Sequence, residues 1–104
     1  MSQISGPSPS QPSYRSEFEQ SVKLFENSFK EMQSSKIDAQ RAQYLKVMRE
    51  SLKVMQETAN GMLNQRLLTL KDNLSKDLNA YLSDPTDPNK KQKVQSDIEH
   101  LKMN

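Results

Sequence analysis

Apolar side chains recur every three or four residues along most of this 104-residue chain, which is the spacing of one face of an α-helix. The first run consists of Phe18, Val22, Phe25, Phe29 and Met32, with Leu24 beside it. Such a run is a seam of the kind that packs one helix on another. It predicts a helix over about residues 16–33 that begins at a Ser16/Glu19 capping box. The run lapses after Met32, where we expect a turn.

A second stripe continues with the same steps from residue 37 to residue 83. Its members are Leu45, Met48, Leu52, Met55, Ala59, Leu63, Leu67, Leu70, Leu74, Leu78 and Tyr81. Because the seam passes from Ala59 to Leu63 in phase, we expect one long helix over residues 37–83, continuous or kinked at Gly61. Asn60-Gly61 is also a plausible helix stop, since glycine is common just beyond a helix end.

The segment Pro85-Thr86-Asp87-Pro88 interrupts this pattern. Pro85 ends the long helix because proline has no amide hydrogen and disfavours helical geometry in the residue before it. Asp87 is a good N-cap and Pro88 a good first helical residue, so we expect a helix over residues 88–102. Its narrow apolar face consists of Val94, Ile98 and Leu101.

Composition supports helices that bury one face each, since hydrophobic residues make up only 33 % of the chain and glycine occurs twice. We therefore predict an all-α fold. Its arrangement would be an extended helical hairpin or antiparallel coiled-coil bundle, with one long central helix and a short C-terminal helix after the Pro-x-x-Pro turn. Residues 14–104 would form a single helical domain. Residues 1–13, rich in Ser and Pro and without charge, predict a disordered tail.

Side chains that carry catalysis are scarce. His100 is the one histidine, cysteine does not occur, and Gly6 and Gly61 belong to no phosphate-binding loop. We therefore expect no enzyme activity, no cofactor and no metal site. The 15 basic and 13 acidic side chains are interspersed, which disfavours a nucleic-acid binder. No apolar run approaches the roughly 20 residues of a membrane-spanning helix.

The region around the proline turn resembles a known family. Tyr81-Leu82-Ser83-Asp84-Pro85-Thr86-Asp87-Pro88, followed by Val94-Gln95-Ser96-Asp97-Ile98, is similar to the helical hairpin of bacterial type III secretion needle subunits. In that family a Pro-(Ser/Asp)-(Asn/Asp)-Pro turn is followed, at similar spacing, by an apolar residue, Gln, often Ser, and then Leu or Ile. The small inner-rod subunits of the same apparatus have a related turn.

This resemblance implies a small helical protein without a catalytic site that is exported from an unstructured N-terminus. Lys90 and Lys91 stand where needle subunits usually carry apolar residues. Residues 14–80 exceed what such a subunit places before its turn, and the family continues past the equivalent of Asn104. An accessory subunit or small chaperone of the secretion system therefore fits better than a needle subunit.

We thus expect a helical protein–protein interaction protein that pairs by coiled-coil packing with another helical protein or with itself, and that has no small-molecule substrate. So little apolar surface makes a lone monomer marginal, which favours a homo- or hetero-oligomer. The expected partner-binding seam consists of Phe18, Val22, Phe25, Phe29, Leu52, Met55, Leu67, Leu70, Leu74, Val94 and Ile98, with a hinge at Pro85, Asp87 and Pro88.

Two other functions stay open. One is a generic coiled-coil scaffold or adaptor unrelated to secretion. The other, less favoured, is a helical nucleic-acid-associated protein that uses Lys90, Lys91 and Lys93. We expect the protein in the bacterial cytoplasm or exported by a specialised system, with residues 1–13 acting as an export signal or as a passive tail.

Overall fold

A computed structural model of the chain describes residues 13–103. Within that range the chain forms four helices and no strand, which confirms the predicted all-α class. The helices are α1 (Tyr14–Ser34), α2 (Asp38–Gly61), α3 (Gln65–Ser83) and α4 (Pro88–Lys102). The predicted disordered tail, apart from Ser13, lies outside the described residues.

The first helix begins earlier than its sequence pattern indicated. Ser13 is the N-cap of α1, and its side-chain oxygen accepts a hydrogen bond of 3.2 Å from the Ser16 amide. The predicted capping box of Ser16 and Glu19 is therefore wrong, because Ser16 already lies within the helix. A serine at either position can satisfy the unpaired amides of a first turn, and the chain uses the earlier one.

The prediction of a single helix over residues 37–83 is also wrong. Residues 62–64 separate α2 from α3, although α2 runs through Asn60 and ends at Gly61. Leu63, which the periodicity assigned to the apolar seam, is 92 % exposed. The seam therefore does not continue as one straight stripe, and the chain turns at Leu63, just beyond Gly61.

Backbone hydrogen bonds explain why the chain turns at this point. The Asn64 amide donates to the Ala59 carbonyl and the Leu63 amide donates to the Asn60 carbonyl, each at 3.0 Å. These two bonds form a Schellman motif, in which Leu63 takes the left-handed position with a φ of 54°. The Asn64 side chain then accepts a hydrogen bond of 3.1 Å from the Leu67 amide and caps α3. The same turn thus ends one helix and starts the next.

Side chains from all four helices share one core. Its buried members are Phe18, Val22, Phe25, Phe29, Met32, Met48, Met55, Ala59, Leu67, Leu74, Leu78, Tyr81, Val94, Ile98 and Leu101. α1 packs most extensively on α2, α3 packs on both α2 and α4, and α4 also contacts α1. Burial of the leucines of α3 in this core offsets the strain at Leu63, because burying one leucine stabilises a fold by about 2 kcal/mol.

Candidate partner-binding surfaces

The structure places the predicted partner-binding seam inside the molecule. Leu52 and Leu70 are partly buried, and the others are core residues: Phe18, Val22, Phe25, Phe29, Met55, Leu67, Leu74, Val94 and Ile98. Their role in binding a partner stays a prediction. In this conformation they contact one another, so a partner would reach them only if the helices separated.

The predicted hinge residues lie between α3 and α4. Asp87 is the N-cap of α4, with its carboxylate accepting a hydrogen bond of 2.9 Å from the Asn89 amide, and Pro88 is the first helical residue. The Asp87 amide in turn donates to the Asp84 carbonyl at 3.2 Å. Pro85 lies in the turn itself. These contacts account for the local backbone of the hinge.

The outer face of the α1–α2 pair has a groove of about 370 Å³ that the sequence pattern did not indicate. It is lined by Glu17, Gln20, Ser21, Leu24, Val47, Glu50, Ser51 and Val54. Its apolar surface comes from Leu24 on α1 and from Val47 and Val54 on α2, and Leu24 is 51 % exposed. Glu17 lies on α1 and Glu50 lies on α2, so each wall of the groove carries a negative charge. We call this feature the acidic groove.

Two serines contribute the small side chains of the acidic groove. The Ser21 hydroxyl donates to the Phe18 carbonyl at 2.6 Å, and the Ser51 hydroxyl donates to the Val47 carbonyl at 2.9 Å. Both hydroxyls are therefore satisfied by their own helices, and both serines are buried. A helix that entered the groove would meet small side chains without unpaired polar groups, which allows close approach of the two helix axes.

A weak sequence signal for this groove exists in retrospect. Val47 and Val54 are seven residues apart and directly precede the core residues Met48 and Met55. They therefore form a second stripe beside the core stripe of α2. Leu24 has the same relation to Phe25 on α1. Only the pairing of α1 with α2 brings the two secondary stripes together.

A carboxyl pair joins α3 and α4. Burial raises the pKa of Asp97 to about 7, and the hydrogen bond with Asp77 and the negative charge of Asp77 act in the same direction. The positive charge of Lys93 lowers the pKa of Asp97. The Oδ2 atom of Asp97 is buried, and no donor from the described residues reaches it. The raised pKa favours the neutral form of Asp97, so the charge that α4 presents to Asp77 on α3 changes near neutral pH.

The remaining observations concern His100, metal binding and the membrane. His100 is exposed on α4. Among the described residues, no three side chains of the metal-binding types lie together. None of the helices within residues 13–103 has both the length and the hydropathy that a membrane crossing requires.

Comparisons with known proteins add no relative to this picture. No protein-family model, no curated protein and no solved structure matches the chain.

Proposed function

We propose that this chain is a non-enzymatic interaction protein that binds a helix of a partner protein in the acidic groove. The supporting observation is that Leu24, Val47 and Val54 form an apolar strip between two helices, with Leu24 half-exposed. A helix that placed apolar side chains at three- and four-residue spacing on this strip would remove it from water. Basic residues beside that stripe would meet Glu17 and Glu50.

We further propose that the partner belongs to a bacterial type III secretion system and that the chain is an accessory subunit or small chaperone of that system. The support is the resemblance of Pro85–Pro88 and the residues up to Ile98 to the turn of needle subunits. The shape of the groove supports a helix-in-groove contact with that partner. Pairing by the buried seam would require opening of the bundle, so the groove is the simpler site.

An export experiment tests this function. A bacterium that lacks the chain is complemented with the wild type, with Leu24→Gln or with Leu63→Gln, and secreted proteins in the medium are measured. We expect Leu63→Gln to restore secretion and Leu24→Gln to restore it poorly. Leu63 is a matched control, because it is an exposed leucine outside the groove. Normal secretion without the chain would favour the scaffold alternative.

A second experiment concerns the N-terminal segment. Deletion of residues 1–12 leaves Ser13 to cap α1, so helicity measured by circular dichroism should not change. If the segment is an export signal, the truncated chain stays in the cytoplasm while the full chain is secreted. Equal secretion of both forms would leave the segment a passive tail.

A further inference from the structure

A second concave surface lies beside the acidic groove on α2, and Glu50 lines both surfaces. Its closed end, of about 390 Å³, is lined by Met32, Gln33, Arg41, Ala42, Leu45, Tyr81, Leu82 and Pro85. Its open end, of about 440 Å³, is lined by Ala42, Leu45, Lys46, Arg49, Glu50 and Lys53. Ala42 and Leu45 line both ends, so the two form one continuous surface, which we call the basic cleft.

The charge of the basic cleft is strongly one-sided. Lys46, Arg49 and Lys53 follow one another at steps of three and four residues, which places them on one face of α2. Within the described part of the chain, none of these three cations forms an ion pair, whereas Arg41 pairs with Asp38. Three exposed cations therefore lie beside an apolar floor, with Glu50 as the one acidic side chain in the lining of the open end.

The closed end provides the apolar part of the cleft. Leu45, Tyr81 and Leu82 come from α2 and α3, and Pro85 follows from the hinge. The cleft thus ends at the same turn that carries the sequence resemblance. A segment that lay along α2 would place apolar side chains at this end and charged ones beside Lys46, Arg49 and Lys53.

We propose that the basic cleft binds an acidic amphipathic helix of a partner protein, with carboxylates of that helix paired to Lys46, Arg49 and Lys53. This inference concerns a different face of α2 from the acidic groove and does not depend on the secretion assignment. Charge complementarity favours an acidic partner, because a basic segment would face three like charges and only one carboxylate, that of Glu50. The two surfaces, which share Glu50, would then bind partners of opposite charge.

A protein fits this cleft better than an anionic membrane or a nucleic acid. The apolar residues lie in a concave end and would not reach into a lipid surface, since Leu45 and Leu82 are partly buried. Tyr81 is the one aromatic residue that lines the closed end. Because Tyr81 is buried, its ring offers no surface on which a base could stack.

The test uses the full chain and two synthetic 18-residue helical peptides. Both carry leucines at three- and four-residue spacing, and the leucines are flanked by glutamates in one peptide and by glutamines in the other. Binding is measured by fluorescence anisotropy at low and at physiological salt. We expect the glutamate peptide to bind about tenfold more tightly than the glutamine peptide, with the difference reduced by salt.

Two sets of variants locate the site. Lys46→Gln/Arg49→Gln/Lys53→Gln should weaken binding of the glutamate peptide by about tenfold, as expected for the loss of several charge contacts. Lys23→Gln/Lys76→Gln/Lys91→Gln removes the same number of exposed lysine or arginine charges elsewhere and should change binding less than about twofold. Circular dichroism of both variants checks that each remains folded, since all six positions are exposed.

Several results would overturn the proposal. Equal losses in the two triple variants would show a general charge effect and no specific cleft. Equal binding of both peptides would remove the role of the cations. Tighter binding to phosphatidylserine vesicles than to the glutamate peptide, abolished by the Lys46/Arg49/Lys53 substitutions, would assign the surface to a membrane instead. Leu24→Gln should leave binding of this peptide unchanged, which separates this proposal from the acidic groove.

Discussion

The Tyr81 ring meets the Phe29 ring edge-on, with the ring centroids 5.3 Å apart and the planes inclined by 69°. This contact joins the last turn of α3 to the second half of α1, and both side chains are buried. Phe29 also stacks on Phe25, with centroids 6.5 Å apart. Since Tyr81 lines the basic cleft as well, the aromatic contact connects the core to one candidate binding surface.

A double-mutant cycle measures this contact. We expect Phe29→Leu and Tyr81→Leu to be coupled by about 0.5–1.5 kcal/mol in the free energy of unfolding, because an edge-to-face pair adds this much beyond burial. Urea denaturation gives the four values. Phe18→Leu combined with Tyr81→Leu is the control, since no ring contact joins these residues. A coupling energy as small as that of the control would contradict the role of the pair.

The left-handed conformation of Leu63 makes a second prediction. Leu63→Gly should increase the free energy of unfolding by about 0.5–1 kcal/mol, because a left-handed conformation costs a leucine about 1–2 kcal/mol and glycine adopts it freely. In Leu24→Gly, a substitution within α1, we expect a loss of about 1 kcal/mol. If residues 37–83 formed one helix, both variants would be destabilised, and thermal denaturation distinguishes these outcomes.

The carboxyl pair makes the stability of the fold depend on pH. Because the pKa of Asp97 is raised from 3.8 to about 7, the folded protein binds more protons than the unfolded chain between these values. Its stability should therefore fall as the pH rises through this range. Asp97→Asn removes the titrating group and preserves a donor to Asp77. We expect this variant to be more stable than the wild type by about 1–2 kcal/mol at pH 8, after allowance for solvent screening, and no more stable at pH 3.

The control for this prediction is Asp72→Asn. Asp72 is exposed and pairs with Lys71, whose ammonium lies 2.6 Å from its carboxylate. Such a surface pair contributes little, so this variant should follow the pH dependence of the wild type between pH 4 and pH 8. Thermal unfolding at several pH values gives the comparison. An Asp97→Asn curve that runs parallel to the wild-type curve would show that Asp97 has an ordinary pKa.

Periodicity was sufficient to predict the helical class and insufficient to predict the turn. A leucine carries no local signal for the left-handed conformation, and Leu63 continues the phase of Ala59 to Leu67 in a straight helix as well as in a broken one. Gly61, where the sequence pattern indicated a kink or a helix stop, is the last residue of α2. Whether the helix continues or turns at Leu63 depends on which helices α3 packs against, and this is a property of the tertiary structure.

The two candidate binding surfaces could not be predicted from the pattern of any single helix, for a related reason. Leu24 lies on α1 and Val54 on α2, and the apolar surface that each helix contributes is too small to mark a binding face in the sequence. Lys46, Arg49 and Lys53 can be seen as a basic face of α2 in the sequence, but their apolar neighbour Tyr81 lies on α3. Asp77 and Asp97 likewise meet only when α4 packs on α3.

Occupancy of the acidic groove is the central claim, and a titration tests it most directly. The probe is an 18-residue helical peptide with leucines at three- and four-residue spacing and lysines beside them, titrated calorimetrically into the wild type, Leu24→Gln and Leu63→Gln. Loss of the apolar contact with Leu24 should weaken binding about tenfold, and Leu63→Gln should bind like the wild type. Equal affinity of the peptide for Leu24→Gln and the wild type would contradict the claim.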